Sequence, residues 1–429
     1  MKGMPDSKWL YRLYDLWVYM FFFSFIFALR PILGFATIML AATSIVIYKR
    51  ETSRWWNPGY FNIFNIGLIL YFILQAIALL HTRNQIKGME VFQTNLGMLV
   101  LPVGVLYSDV INAKKYRTWM SGYVIILFAA MVVCLAKAAG NYSQTHDSSV
   151  FFYHSLVAIY SNHAIQFSVI VFIGIQFLLD QYQGLNRRLF KTGVILLILF
   201  FSFFLFLLSS KLVILFYLGY LLFVVTFTKT FIVQRPYRIA GFCMVLAALL
   251  VIFLVRSPIR TRIKQEWNAQ FSVIHQDKFS PADYFSGVQF RILTWRFAFE
   301  ILNERSAWIT GVNPGDAQDV LKEKYLRENM FAGGTPGNKT GYLGYHTHNQ
   351  FLQAVLESGF LGLTAFLLMW TGLIRFGRRV SRWSYSAYIV LILCNCFTDA
   401  PLTTQYGIIL FVFFPLFMFK AWAPDQPGS

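Results

Sequence analysis

The chain has 429 residues, 57% of them hydrophobic and only 13% charged. Soluble domains carry roughly 25% charged residues, so this composition excludes an ordinary soluble enzyme and predicts an all-α polytopic membrane protein. The net charge of +18 does not point to nucleic acid, because Lys and Arg collect in short turns between apolar runs instead of forming one basic face with interleaved aromatics.

Apolar runs of roughly bilayer-spanning length recur, and about twelve are predicted to be transmembrane helices. They lie near 14–29, 32–48, 60–80, 92–108, 118–136, 163–179, 192–209, 212–228, 239–255, 351–374, 385–398 and 404–421. The turn at Arg30-Pro31 is so tight that the first two runs are equally readable as one hairpin dipping into the membrane. The run ending there has no small-residue cleavage site, so no cleavable signal peptide is expected.

Turn charge alternates along the chain. Lys49, Arg50 and Arg54, then Lys114, Lys115 and Arg117, Arg187, Arg188 and Lys191, and Arg375, Arg378, Arg379 and Arg382 mark one side. The short turns of the other side hold only Arg30, Arg83, Lys87, Lys137 and Lys211. The positive-inside rule places both termini in the cytoplasm and the long segment 256–350 outside. The expected organisation is an N-terminal bundle over 1–255, a helical external loop over 256–350, and a C-terminal bundle over 351–429.

Within that loop, Phe290, Ile292, Leu293, Phe297, Ile301 and Leu302 make one apolar stripe, predicting an amphipathic helix from Asp283 to Arg305. A second helix is expected from Asp316 to Glu328, after the Pro314-Gly315 turn. A smaller outer loop, 138–162, carries His146 and His154, with His163 just beyond it. His154 and His163 are read as interfacial residues or as lining an acceptor groove. Cys134, Cys243, Cys394 and Cys396 all fall inside apolar runs and are read as packing residues.

The loop ends at Tyr345-His346-Thr347-His348-Asn349-Gln350 and runs straight into an apolar helix. A titratable pair at the water–lipid boundary is costly to place and suited to proton transfer. Two histidines at this spacing also suit a metal along an extended segment, but the sequence marks no third ligand.

His348-Asn349, followed by Gln353, Glu357, Gly359 and Gly362, resembles the signature of the O-antigen ligase and polymerase family of bacterial membrane glycosyltransferases. Arg291, Trp295 and the turn Gly311-Val312-Asn313-Pro314-Gly315 extend the resemblance upstream. It implies a glycosyltransferase C-class-like membrane fold with a periplasmic helical loop, in a bacterial inner membrane. It further implies transfer of a glycan from an undecaprenyl-diphosphate carrier to an acceptor hydroxyl, on lipid A–core, another glycan or a protein. One position departs: where many members have Ser-Arg, this chain has Ser210-Lys211, and lysine lacks the bidentate fork.

Such a transfer needs cations for the leaving diphosphate and benefits from a base with a pKa near the working pH. The resemblance makes His348 the candidate base, with His346 sharing the role or binding sugar. Arg291 is the first candidate for the diphosphate, with Arg296 and Lys211 behind it. Glu357, buried in a span, requires a partner, for which a loop arginine is the candidate. Asp399 matches a position often acidic in the resembled family, and is read as orienting His348 or a basic residue or as a helix-end carboxylate among the headgroups. The loop's acidic residues Asp277, Asp283, Asp316 and Asp319 are scattered, so no cofactor and a metal-independent, inverting mechanism are expected. A ligase is the first reading. A polymerase or protein oligosaccharyltransferase of the same family is the alternative, and a lipid-linked glycan transporter is the rival from another class.

Overall fold

The computed structural model describes residues 8–160, 163–182, 184–227, 264, 267, 270–283, 285–334, 341–380 and 382–423. Among the described residues all regular elements are helical. In chain order these include α1 (Lys8–Ile26), α2 (Arg30–Thr52), α3 (Ile63–Leu79), α4 (Gln85–Leu106), α5 (Ala113–Thr145), α6 (Tyr153–Val157), α7 (Ala164–Tyr182), α8 (Arg188–Leu207) and α9 (Lys211–Phe227). There follow α10 (Gly287–Glu304), α11 (Ala317–Arg327), α12 (Gln350–Arg379), α13 (Trp383–Thr398) and α14 (Gln405–Trp422).

Seven of the described helices, α2, α4, α5, α7, α8, α12 and α14, are long and apolar enough to cross a membrane. The apolar helices α3, α9 and α13 are shorter. The run expected at 239–255 and the start of the long loop, 256–263, lie outside the described residues. The first pair folds as two helices, joined at Ala28 in the left-handed conformation. Helix α5 runs on to Thr145, well past the apolar run at 118–136. Hydropathy marked where that helix stops being greasy, and Ala136, Ala138 and Ala139 let it continue into polar sequence.

The chain forms two compact units. One comprises Met1–Thr43, Val110–Ile263 and Arg382–Leu391; the other comprises Ser44–Asp109, Lys264–Ser381 and Ile392–Ser429. In the first, α1 lies on α5, with Phe22 edge-on to Tyr123 and Asp15 paired to Lys115 at 2.5 Å. Helix α7 is apolar on nearly every side and correspondingly buried along most of its length.

In the second unit α12 packs along α3, and α3 along α4. The long loop supplies α10 and α11, which begin close to where the sequence placed them. Helix α10 starts later than Asp283 because Ser286 and Gln289 form a reciprocal capping box. Its stripe of Phe290, Leu293, Phe297 and Ile301 packs with Leu321 and Tyr325 of α11 and with Leu352, Val355 and Leu356 of α12. Lys324 latches the pair from α11, reaching Glu300 at 2.7 Å and Glu304 at 3.0 Å. The Asp316 carboxylate accepts the backbone N–H groups of Arg83 and Asn84, docking this subdomain on the α3–α4 turn.

The first two turns of α12 therefore belong to the loop's hydrophobic core. The span expected at 351–374 lies within this helix, which is not continuous. The helix breaks at Ser358 and Gly359, and the chain at 308–312 fills the break: Val312 N–H donates to the Leu356 carbonyl and Phe360 N–H to that of Trp308, both at 2.8 Å. Gly359 has φ +62°, and a Cβ there would meet the Ile309 carbonyl oxygen at 2.1 Å. The remainder, 360–379, still reaches about 30 Å at 1.5 Å per residue, the thickness of a bilayer core. Gly359→Ala should lower stability by at least roughly 1–3 kcal/mol, the range for a strained backbone site. Thermal unfolding of the detergent-solubilised protein checks this, and an unchanged midpoint would contradict the description of the break.

Candidate active site

The second unit gathers four of the residues singled out in the sequence. Thr347 is wholly buried, and its carbonyl accepts the Trp295 indole N–H at 3.0 Å and the Thr294 hydroxyl at 3.2 Å. These bonds pin the loop's end to α10. His346 and His348 flank Thr347, each about three-quarters buried, and both face Asp399 at the end of α13. The carboxylate stands 3.4 Å from His346 Nε2 and 3.6 Å from His348 Nδ1, in both cases through Oδ1. His348 is held at φ +49°, in the left-handed region. A non-glycine residue there is strained, as active-site residues often are.

Backbone geometry assigns the imidazole protons. His346 Nδ1 accepts the His348 backbone N–H at 3.0 Å, so that nitrogen carries no proton. A neutral His346 ring keeps its proton on Nε2, facing Asp399. His348 turns Nδ1 to the same carboxylate, which leaves its Nε2 lone pair without a hydrogen-bond partner among the described residues. Of the two rings, His348 is thus the one that keeps an unengaged nitrogen, with the Asp399 carboxylate beside its other nitrogen. Phe290 and Tyr345 wall this ring, with Tyr345 5.5 Å away and itself half-exposed.

Burial would raise the Asp399 pKa. The hydrogen bond from His348, the charges of His346 and His348, and the Ala400 N–H outweigh burial and hold the carboxyl down at about 2. A depressed carboxylate pKa stabilises the fold above the ordinary carboxylate range, and that contribution is lost only as pH falls towards 2. The shift favours the carboxylate form of Asp399.

His346, His348 and Asp399 also have the separation of a metal site, their donor atoms lying within 4.8 Å of one another. The proton arrangement does not fit one. A metal on His346 Nε2 requires the ring proton on Nδ1, and Nδ1 is already an acceptor.

Arg291 reaches the same place from α10. Its Nε donates to the Thr398 carbonyl at 3.0 Å, one residue before Asp399, and its Nη1 to the Gly287 carbonyl at 3.3 Å. Its Nη2 has no hydrogen-bond partner among the described residues. Arg296, one and a half turns on, is differently placed. It donates to Glu300 and Asp277 and to the carbonyls of Ile274 and Gln276, so it fastens 274–277 to α10. Lys211 opens α9 in the first unit, just after Ser209 at φ +52°.

Glu357 differs from its expectation. No arginine pairs with it among the described residues. Its Oε1 accepts Gln353 Nε2 at 2.7 Å, and its Oε2 accepts Gln75 Nε2 at 3.2 Å and the Tyr71 hydroxyl at 3.4 Å. The break after Glu357 keeps it under the loop core and against α3, where neutral donors are what the helix faces offer. His154 and His163, in the first unit, lie together with rings 4.3 Å apart. His154 Nδ1 accepts the Ala164 N–H at the start of α7, a capping role. Sequence reasoning passed over Thr347, Gln350 and Thr294; their polarity within apolar surroundings was the available signal.

A family model described as O-antigen ligase matches residues 194–367. The chain carries an O-antigen ligase family domain. The matched stretch includes Lys211, Arg291, both histidines and Glu357; Asp399 lies beyond it, brought to the ligase-family motif by the fold. No curated protein matches the chain.

Proposed function

We propose that the protein is a ligase-type glycosyltransferase, moving a glycan from undecaprenyl diphosphate to an acceptor hydroxyl on lipid A–core. The observation that carries this reading is the oriented His348, its open Nε2 within a unit that also presents Arg291 beside Asp399. In the proposed step the acceptor hydroxyl gives its proton to His348 Nε2 as its oxygen attacks the anomeric carbon. The bond from that carbon to the diphosphate oxygen breaks, and Arg291 Nη2 meets the charge developing there. A single displacement inverts the anomeric centre. Asp399 stabilises the imidazolium that forms, and no metal is required.

The site is assigned to the outer face of a bacterial inner membrane. Support comes from the turns that carry it: the subdomain docks on the α3–α4 turn through Asp316, and that turn is on the side poor in Lys and Arg. No nucleic-acid partner is proposed; the other partner is the bilayer itself. The test is transfer by purified enzyme from lipid-linked glycan to lipid A–core in excess EDTA, which should proceed at the untreated rate. Loss of activity restored by Mg²⁺ or Mn²⁺ would refute the metal-free step. Transfer only to a second lipid-linked glycan would make the protein a polymerase.

A further inference from the structure

The buried turn that precedes the break in α12 faces both sides of the histidine–aspartate cluster. Gln350 and Gln353 stand one turn apart and are both buried. Gln350 Oε1 accepts the Leu402 backbone N–H at 2.8 Å, which ties down the segment that begins at Asp399. Gln353 Oε1 accepts the Thr347 hydroxyl at 2.9 Å and lies 3.4 Å from the Thr347 N–H. Thr347 sits between the two histidines, so its position sets theirs.

Gln353 is itself fixed. Its Nε2 donates to the Glu357 carboxyl at 2.7 Å, which turns Oε1 toward Thr347. Glu357 is held in turn by Tyr71 and Gln75, and Gln75 Oε1 accepts from Asn95. A chain of directed bonds runs from α4 through α3 and α12 to Thr347. Among the described residues, Glu357 accepts from neutral donors: Gln353, Gln75 and Tyr71.

We propose that Gln353, oriented by Glu357, is a positioning residue that holds Thr347 and thereby keeps His348 in its left-handed conformation against Asp399. The inference rests on His348 being the base of the proposed transfer. It gives Glu357 a different part from substrate binding, since the carboxylate acts through Gln353 and Thr347.

The test uses full-length protein and three variants. Thr347→Val keeps the side-chain shape and removes the hydroxyl; Thr347→Ser keeps the hydroxyl; Gln353→Met removes the acceptor at similar volume. Thr347→Val and Gln353→Met should each lower kcat about ten- to a hundred-fold, the range for a small misplacement of a catalytic group. The KM for lipid-linked donor should stay within about twofold, because Arg291 is untouched. The double variant should lose no more than either single one, since both break the same link. Thr347→Ser should recover most of the rate.

A second readout does not depend on turnover. Diethyl pyrocarbonate modifies an accessible neutral imidazole, and peptide mass spectrometry follows its rate at His348 against pH without any donor. That rate profile should shift in Thr347→Val and Gln353→Met and return in Thr347→Ser. Wild-type kcat in Thr347→Val, additive losses in the double variant, or an unshifted His348 profile would each overturn the proposal. A shifted profile in a protein whose wild type transfers no glycan would uphold the positioning and sink the proposed function instead.

Discussion

Replacing His348 by alanine should cost at least roughly 10²-fold in transfer rate, the usual range for a general base. His348 is the ring whose second nitrogen stays open, with Nδ1 turned 3.6 Å from the Asp399 carboxylate. His346→Ala should cost less. Its Nδ1 accepts the His348 backbone N–H and its Nε2 faces Asp399, so both of its nitrogens are engaged. Donor binding should survive His348→Ala, because the cation proposed to hold the diphosphate is elsewhere. Asp399, with its carboxyl held at about 2, should add no acid limb of its own to the pH profile of kcat above the ordinary carboxylate range. Initial rates in membranes, normalised to protein level, decide the matter. Near-wild-type turnover in His348→Ala, or a greater loss in His346→Ala, would end this assignment.

Arg291→Ala should abolish transfer to the detection limit, and for two reasons that add. Removing a preorganised donor from a developing anion costs roughly 10²–10³-fold. The same guanidinium also holds the Thr398 carbonyl at 3.0 Å, so its loss frees the turn that carries Asp399. Arg291→Lys keeps the charge but not the fork that serves Thr398 and a ligand at once, and it should recover only a small part of the rate. Binding separates this variant from His348→Ala: affinity for a lipid diphosphate should fall in Arg291→Ala and hold in His348→Ala. Equal binding in the two would remove Arg291 from the diphosphate.

The apolar runs, an amphipathic helix within Asp283 to Arg305 and the histidine pair were all legible in the sequence. Each is a local matter: hydropathy over a window, an apolar stripe at helical spacing, or a motif within a dozen residues. The positive-inside pattern is local too, since it needs only the charge of each turn. The break in α12 was legible only as a glycine. That Gly359 separates a loop-core segment from a span follows from Trp308 and Val312 bonding across the gap, and these are contacts between distant segments.

Tertiary structure alone decided how the candidate residues divide. Arg291 and Arg296 are the same residue type on one helix, five places apart. Which one keeps a donor for a ligand depends on Asp277, Glu300 and the carbonyls that surround the second. His346 and His348 are likewise alike in sequence, and only the turn that points one ring's nitrogen at the other's backbone tells them apart. Asp399 stands some fifty residues beyond the histidines, and α12 and α13 must fold back before it can orient either. Residue type and spacing determined that acid–base and cationic groups exist where the loop meets an apolar helix. Directional bonds from separate helices determined which of them is free to act, because a donor or acceptor has few sites and the fold fills most of them first.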